Sequence, residues 1–374
     1  MTTTHETHSG ELAVQLPRWI ARAREAAFWT AVAGTLVLVA EATARIDDRV
    51  RRGVPLLAVP DAARDLVLRD SLGPRGRPNG RYEKWRLNRF GFRSPDMTLL
   101  PAPGCTRVAV LGASETLGWY ESDDKEYASQ LRDSLSRNGC FEVVNAAVAG
   151  IPLPGITHLW NNWVARFQPS VVLVYPTPAF YLWDEPPTYP GRPRAATDDA
   201  PWWTPRLLQR AHDVLDYPAF IQRRRVARMI ASAVAGHDST WLFRDVPADR
   251  LHQYVTDLDS LVTAIRAAGA TPVLLTHATR FTVPPDPADA DLLNSWRQFL
   301  PRATTHAILA FEEATAQATR ELAARRGVLV VDVARAMSGH REWFGDFAHF
   351  TDQGAGVMAG VIADSLRHTL VGSR

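Results

Sequence analysis

From Arg107 onward the chain repeats one pattern, a short run rich in β-branched residues followed by a longer amphipathic stretch. The pattern predicts strands at Val108–Leu111, Phe141–Asn145, Val171–Tyr175, Pro272–Thr276 and Val328–Val333, and helices near 125–137, 154–167, 247–268, 304–326 and 352–366. Strands this apolar need cover on both faces, and the helices between them supply it. The expected fold is therefore α/β: a three-layer α/β/α sandwich with a central parallel sheet, plus an amino-terminal apolar helix. Functional groups in such sheets gather at the carboxyl ends of the strands. Ser114, Gly150, Thr177 and His277 all fall just beyond expected strand ends.

The first strand leads into Gly112-Ala113-Ser114, where glycine breaks the extended run before a small-residue turn. A serine at a strand-to-helix junction stands clear of the backbone beside free N–H groups, which suits a nucleophile that attacks a carbonyl and holds the oxyanion. The same position also suits a helix N-cap. Far downstream, Asp346-Phe347-Ala348-His349 puts a carboxylate three residues before a histidine. Such a carboxylate can fix the ring's tautomer and leave the other nitrogen free as a base. Ser114, Asp346 and His349 make a complete triad.

These two stretches, with Asn145-Ala146-Ala147-Val148-Ala149-Gly150 between them, resemble the SGNH (GDSL-like) hydrolase family, serine first and Asp-x-x-His last. The resemblance covers roughly Arg107 to Leu366 and implies a flavodoxin-like sheet with a serine esterase site. It implies an oxyanion hole from the Ser114 and Gly150 N–H groups; glycine lets a backbone donor approach closely. In the third block the chain departs from the family. Relatives carry Gly-x-Asn-Asp, whose asparagine is the third donor, whereas here Tyr175-Pro176-Thr177-Pro178 leaves only the Thr177 hydroxyl. Ala113 likewise replaces the aspartate of Gly-Asp-Ser. Asn145, His277 and Arg280 are candidate substrate contacts.

The remaining composition excludes more than it assigns. Net charge is +2, so nothing points to nucleic acid. The histidines show no metal-ligand spacing, no glycine-rich phosphate loop is present, and no metal or cofactor is expected. Cys105 and Cys140 flank the first strand and the start of the second; two cysteines argue neither a disulfide framework nor a metal site.

A polar tail spans residues 1–25, and an apolar segment over 26–46 reads as a membrane anchor, with Trp19 and Trp29 suited to an interface. Ala42-Thr43-Ala44 leaves open a secretion signal cleaved near Ala44, and a soluble amphipathic helix is the plainer alternative. Arginines on both sides give no orientation. Residues 47–104 form a connecting region rich in Arg, Pro and Gly, in which Asn88-Arg89-Phe90-Gly91-Phe92-Arg93 is similar to a segment that precedes the serine in membrane-anchored relatives. The hydrolase-like domain takes up 105–370, with a cap insertion over 181–246 where the alternation is lost. The expected function is a serine esterase or acyltransferase acting on an ester or acylated small molecule, glycan or lipid. The protein is expected on a membrane through its amino-terminal helix, with the catalytic domain outside the cytoplasm. The alternative is a catalytically weak binding or accessory protein on the same scaffold.

Overall fold

The computed structural model describes residues 18–58, 61–188, 204–214 and 219–371. Positions 1–17 of the expected tail, and 189–203 and 215–218 of the expected cap, lie outside the described residues. In chain order, α1 (Arg18–Arg52) and α2 (Ala62–Leu66) precede two hairpins, β1 (Val67–Asp70) with β2 (Gly73–Gly76) and β3 (Arg81–Tyr82) with β4 (Trp85–Arg86). Then come β5 (Thr106–Gly112), α3 (Ser114–Leu117), α4 (Tyr127–Leu135), β6 (Phe141–Asn145), α5 (Leu153–Leu159) and β7 (Val171–Tyr175). The remainder is α6 (Arg206–Val214), α7 (Ala219–Val234), α8 (Ala248–Ala267), β8 (Thr271–Leu275), α9 (Ala290–Arg297), α10 (Thr305–Arg326), β9 (Leu329–Val331), α11 (Val333–Met337) and α12 (Asp352–Val371).

The chain divides into two compact units. The smaller holds α1 and α6. Glu41 accepts from the backbone N–H groups of Arg206 and Leu207, both at 3.0 Å, and so satisfies free donors at the start of α6. Asp48, 3% exposed, pairs with Arg206 at 2.6 Å and with Arg210 at 2.7 Å. The rest of α1 is of another kind. Over Arg22–Arg51 it is long and apolar enough to cross a membrane, with mean hydropathy 1.5 and none of its most apolar window buried. Phe28, Trp29, Leu36 and Leu38 stand exposed there.

The larger unit holds the two hairpins and the α/β sandwich. The five strands of the sandwich are all parallel, in the order β6-β5-β7-β8-β9. Alternation along each strand serves both faces. Ala109, Leu111, Val172 and Val174 point into a core with α5, α8 and α10, while Val108, Val110, Val171 and Leu173 point into a second core with α4, α11 and α12. The last strand is shorter than expected because Asp332 leaves the sheet to cap α11, its side chain accepting from the Arg335 N–H. The helix expected over 154–167 widens after Leu159 into a π turn and then tightens into a 3₁₀ turn. The order in which strands are added reverses at β5: β6 lies on one side of it and β7 on the other, and Ser114 follows β5 at that switch point.

Candidate functional site

The turn that carries Ser114 is fixed from below and from behind. A side chain on Gly112 would meet Thr116 Oγ1 at 2.1 Å and the Tyr175 carbonyl oxygen at 2.9 Å, so only glycine allows α3 to fold back on the strand end. At the other end of α3, the Arg93 guanidinium donates to the carbonyls of Leu117 and Gly118 at 2.6 and 2.8 Å, and Trp85 Nε1 donates to Gly118 at 2.8 Å. These bonds satisfy orphan carbonyls of a one-turn helix. The Asn88–Arg93 segment thus braces the serine helix. Asn88 accepts from the N–H groups of Phe90 and Phe92 at 2.9 and 3.0 Å and sets the loop that delivers Arg93.

Ser114 Oγ lies 2.9 Å from His349 Nε2, across 235 residues of sequence. On the other side of the ring, His349 Nδ1 lies 2.9 and 3.0 Å from the two oxygens of Asp346. Asp346 also accepts from the N–H groups of Ala348 and His349, at 3.0 and 2.9 Å, which holds the carboxylate inside its own tight turn. Burial lowers the basicity of His349, but its hydrogen bond to Asp346 and the charges of Glu115 and Asp346 outweigh it and raise its pKa above the ordinary 6.5. The Tyr120 ring stands edge-on to the imidazole at 5.7 Å.

The other predicted residues divide by what holds them. Gly150 is exposed, with φ +73°, on the loop after β6; the N–H of Val148 bonds back to the Gly112 carbonyl at 3.2 Å and brings that loop over the end of β5. The Ser114 N–H is the first of a helix, with no acceptor in the helix itself. The Thr177 hydroxyl donates to Glu115, 3.1 Å from each oxygen. The Asn145 amide is buried, donating to the Thr116 carbonyl at 2.7 Å and accepting from the Ala147 N–H at 3.2 Å. It ties the serine turn to the start of the Gly150 loop. Arg280 donates to the carbonyls of Arg341 and Phe344 at 3.1 and 3.3 Å, and its backbone N–H to Phe347 at 3.0 Å, so it pins the segment that carries Asp346. His277 is fully buried between two glutamates.

Those glutamates, Glu115 and Glu312, carry no sequence signal that marks them. Glu115 Oε2 is 3.4 Å from Ser114 Oγ, its Oε1 is 3.5 Å from His277 Nε2, and His277 Nδ1 is 2.7 Å from Glu312 Oε2. Burial alone would raise the Glu115 carboxyl; the His277 contact and the charges of His349 and His277 reverse this and hold it at about 2. Burial likewise works against charge on His277, and the two carboxylates overcome it and push its pKa up to about 10. For Glu121 burial dominates: it outweighs the backbone hydrogen bonds and the charges of Arg93 and His349, and pushes the carboxyl up to about 8. Among the described residues, no group of three or more His, Cys, Asp or Glu side chains could hold a metal ion.

A cavity of about 900 Å³ opens beside the serine turn, lined among others by Leu117, Trp119, Val148, Gly150, Trp183 and Phe299. Ser114 and His349 are not in its wall; it adjoins the site through α3, which contributes Leu117, and through the Gly150 loop. Cys105 and Cys140, which precede β5 and β6, are joined in a disulfide.

No family model matches the chain, and no curated protein matches it. Solved structures are similar at low identity. A putative lipolytic protein of the G-D-S-L family from Desulfitobacterium hafniense is 11% identical, with 70% of this chain and 99% of that chain covered and a TM-score of 0.40. A lipase/acylhydrolase from Enterococcus faecalis is 13% identical over 71% of this chain and 96% of that one, with a TM-score of 0.42. TesA is 14% identical over 70% of this chain and 98% of that one, also with a TM-score of 0.42.

Proposed function

We propose that this chain is a serine esterase of the SGNH type, or an acyltransferase with the same covalent chemistry. The observation that carries the reading is the unbroken line of hydrogen bonds from Ser114 Oγ through His349 to Asp346. Ser114 Oγ attacks the ester carbonyl and gives its proton to His349 Nε2, while Asp346 holds the tautomer and stabilises the imidazolium. The N–H groups of Ser114 and Gly150 receive the developing oxyanion. Collapse of the tetrahedral adduct breaks the bond to the leaving alcohol, which takes the proton from His349. Water, or a second alcohol such as a sugar hydroxyl, then accepts the acyl group.

Two further features support a place at a membrane and outside the cytoplasm. The exposed apolar face of α1 suits an anchor, and a disulfide persists in oxidising compartments. The cavity beside Gly150 offers room for the acyl or alcohol part of an ester larger than acetate. The accessory-protein reading draws on the missing third-block asparagine and on the Thr177 hydroxyl, which donates to Glu115.

Turnover of a series of p-nitrophenyl esters from two to sixteen carbons tests the proposal, with wild type and His349→Ala side by side. The enzyme reading expects hydrolysis by wild type, with a chain-length optimum, and a loss of about a thousandfold or more in the variant. Equal rates in the two would refute it.

A further inference from the structure

A line of buried charge runs from the serine into the core, and the mechanism above leaves it unused. Glu115, His277 and Glu312 follow one another at 3.5 and 2.7 Å, with side chains 4%, 0% and 7% exposed. Burying three ionisable groups is costly, and apolar side chains of similar size would fill these positions without that cost. The line begins at the residue after the serine. Ser114 Oγ touches both Glu115, at 3.4 Å, and His349, at 2.9 Å, so the carboxylate and the imidazole are two short contacts apart.

We propose that Glu115 is a positioning residue, a second carboxylate of the site that acts through His349 and sets the pH range in which His349 serves as base, and that His277 and Glu312 keep it ionised. The inference rests on the reading of Ser114 and His349 as nucleophile and base. A fixed negative charge near the imidazole stabilises the imidazolium that forms as Ser114 gives up its proton. The same charge delays loss of the proton in the resting site, so the acid limb of the rate profile moves to higher pH.

The other groups around the line are accounted for. His349 also faces Asp346 from its own turn and Tyr120 and Glu121 from the loop after α3; Glu121 acts on it only when ionised, above about 8. Glu115 faces Thr177 after β7 and the buried phenols of Tyr127 and Tyr175. The ring of Tyr175 lies 5.2 Å from that of His277, and Tyr254 senses Glu312 from α8.

The test uses the rate at which a fluorophosphonate modifies Ser114, followed against pH on the full chain in detergent, so that no natural substrate is needed. In that reaction the bond from Ser114 Oγ to phosphorus forms, fluoride leaves, and the serine proton passes to His349. Wild type is expected to show an acid-limb midpoint above the ordinary histidine value of about 6.5. Glu115→Gln, which keeps an acceptor for Thr177 but removes the charge, is expected to lower that midpoint by about 1 pH unit. His277→Gln is expected to move it the same way, because a buried carboxylate without its cation takes up a proton. A midpoint that stays put in both variants while the limiting rate falls assigns the line a packing role and overturns the proposal. A wild-type midpoint at or below about 6.5 overturns it without any variant. Modification mapped elsewhere than Ser114 removes the underlying site reading as well, an outcome distinct from an unmoved midpoint.

Discussion

Thr177 Oγ1 sits 3.1 Å from both oxygens of Glu115, so the hydroxyl that follows β7 donates to a buried carboxylate. A hydrogen bond to a charged group stabilises by about 2 kcal/mol. Thr177→Val is therefore expected to lower stability by about that amount, read from denaturant unfolding, and to lower kcat less than the roughly hundredfold expected for loss of an oxyanion donor. A hundredfold loss of kcat with unchanged stability would return Thr177 to the oxyanion hole.

Asp346 accepts from His349 Nδ1 and from two backbone N–H groups at once. Asparagine would turn an N–H toward the ring or lose the turn, so Asp346→Asn is expected to reduce kcat by about 10³- to 10⁴-fold on an ester substrate. Wild-type turnover in that variant would remove Asp346 from the site.

The buried groups also make stability depend on pH. Glu115 is held at about 2, below its ordinary 4.5, so its contribution is present above 4.5 and lost as pH falls toward 2. His277 is raised from 6.5 to about 10, so its contribution is full below 6.5 and lost as pH rises toward 10. Glu121, raised from 4.5 to about 8, adds a loss between those values. Melting temperatures measured from pH 4 to 10 should fall on the alkaline side, and His277→Gln should flatten the decline between about 6.5 and 10. An alkaline decline unchanged in His277→Gln would contradict the charged state assigned to that histidine.

For the amino-terminal helix, the full chain is expected to stay with membranes through a carbonate wash, and a chain shortened to begin at Asp47 to move into the aqueous fraction. The shortened chain also loses Glu41, which caps α6, so trypsin should cut faster at Arg206 and Arg210. Release of the full chain by carbonate would exclude an anchor.

The strands and the Asp-x-x-His turn were legible because their signals are local. β5 to β8 follow runs of β-branched residues, and Asp346 reaches His349 within one turn. What was not legible depends on distant contacts. Glu115 reads as an ordinary first-turn acid until the loop after β8 brings His277 against it, and α10 brings Glu312 against His277 from 35 residues further along. Asn145 and Arg280 have side chains suited to substrate, yet Thr116, Ala147, Arg341 and Phe344 take up their hydrogen bonds. Arg93 gains its role on α3 only through a loop whose form Asn88 sets. The disulfide needed the parallel register of β5 and β6 to bring Cys105 to Cys140.

If Ser114 is a nucleophile activated by His349, a fluorophosphonate must form its adduct there, and peptide mapping of the labelled protein reads the position. The expected result is one adduct on Ser114 in the full-length protein, absent after heat unfolding and absent in Ser114→Ala and His349→Ala. A folded wild-type protein that stays unlabelled, or an adduct on another residue that persists in Ser114→Ala, would contradict it.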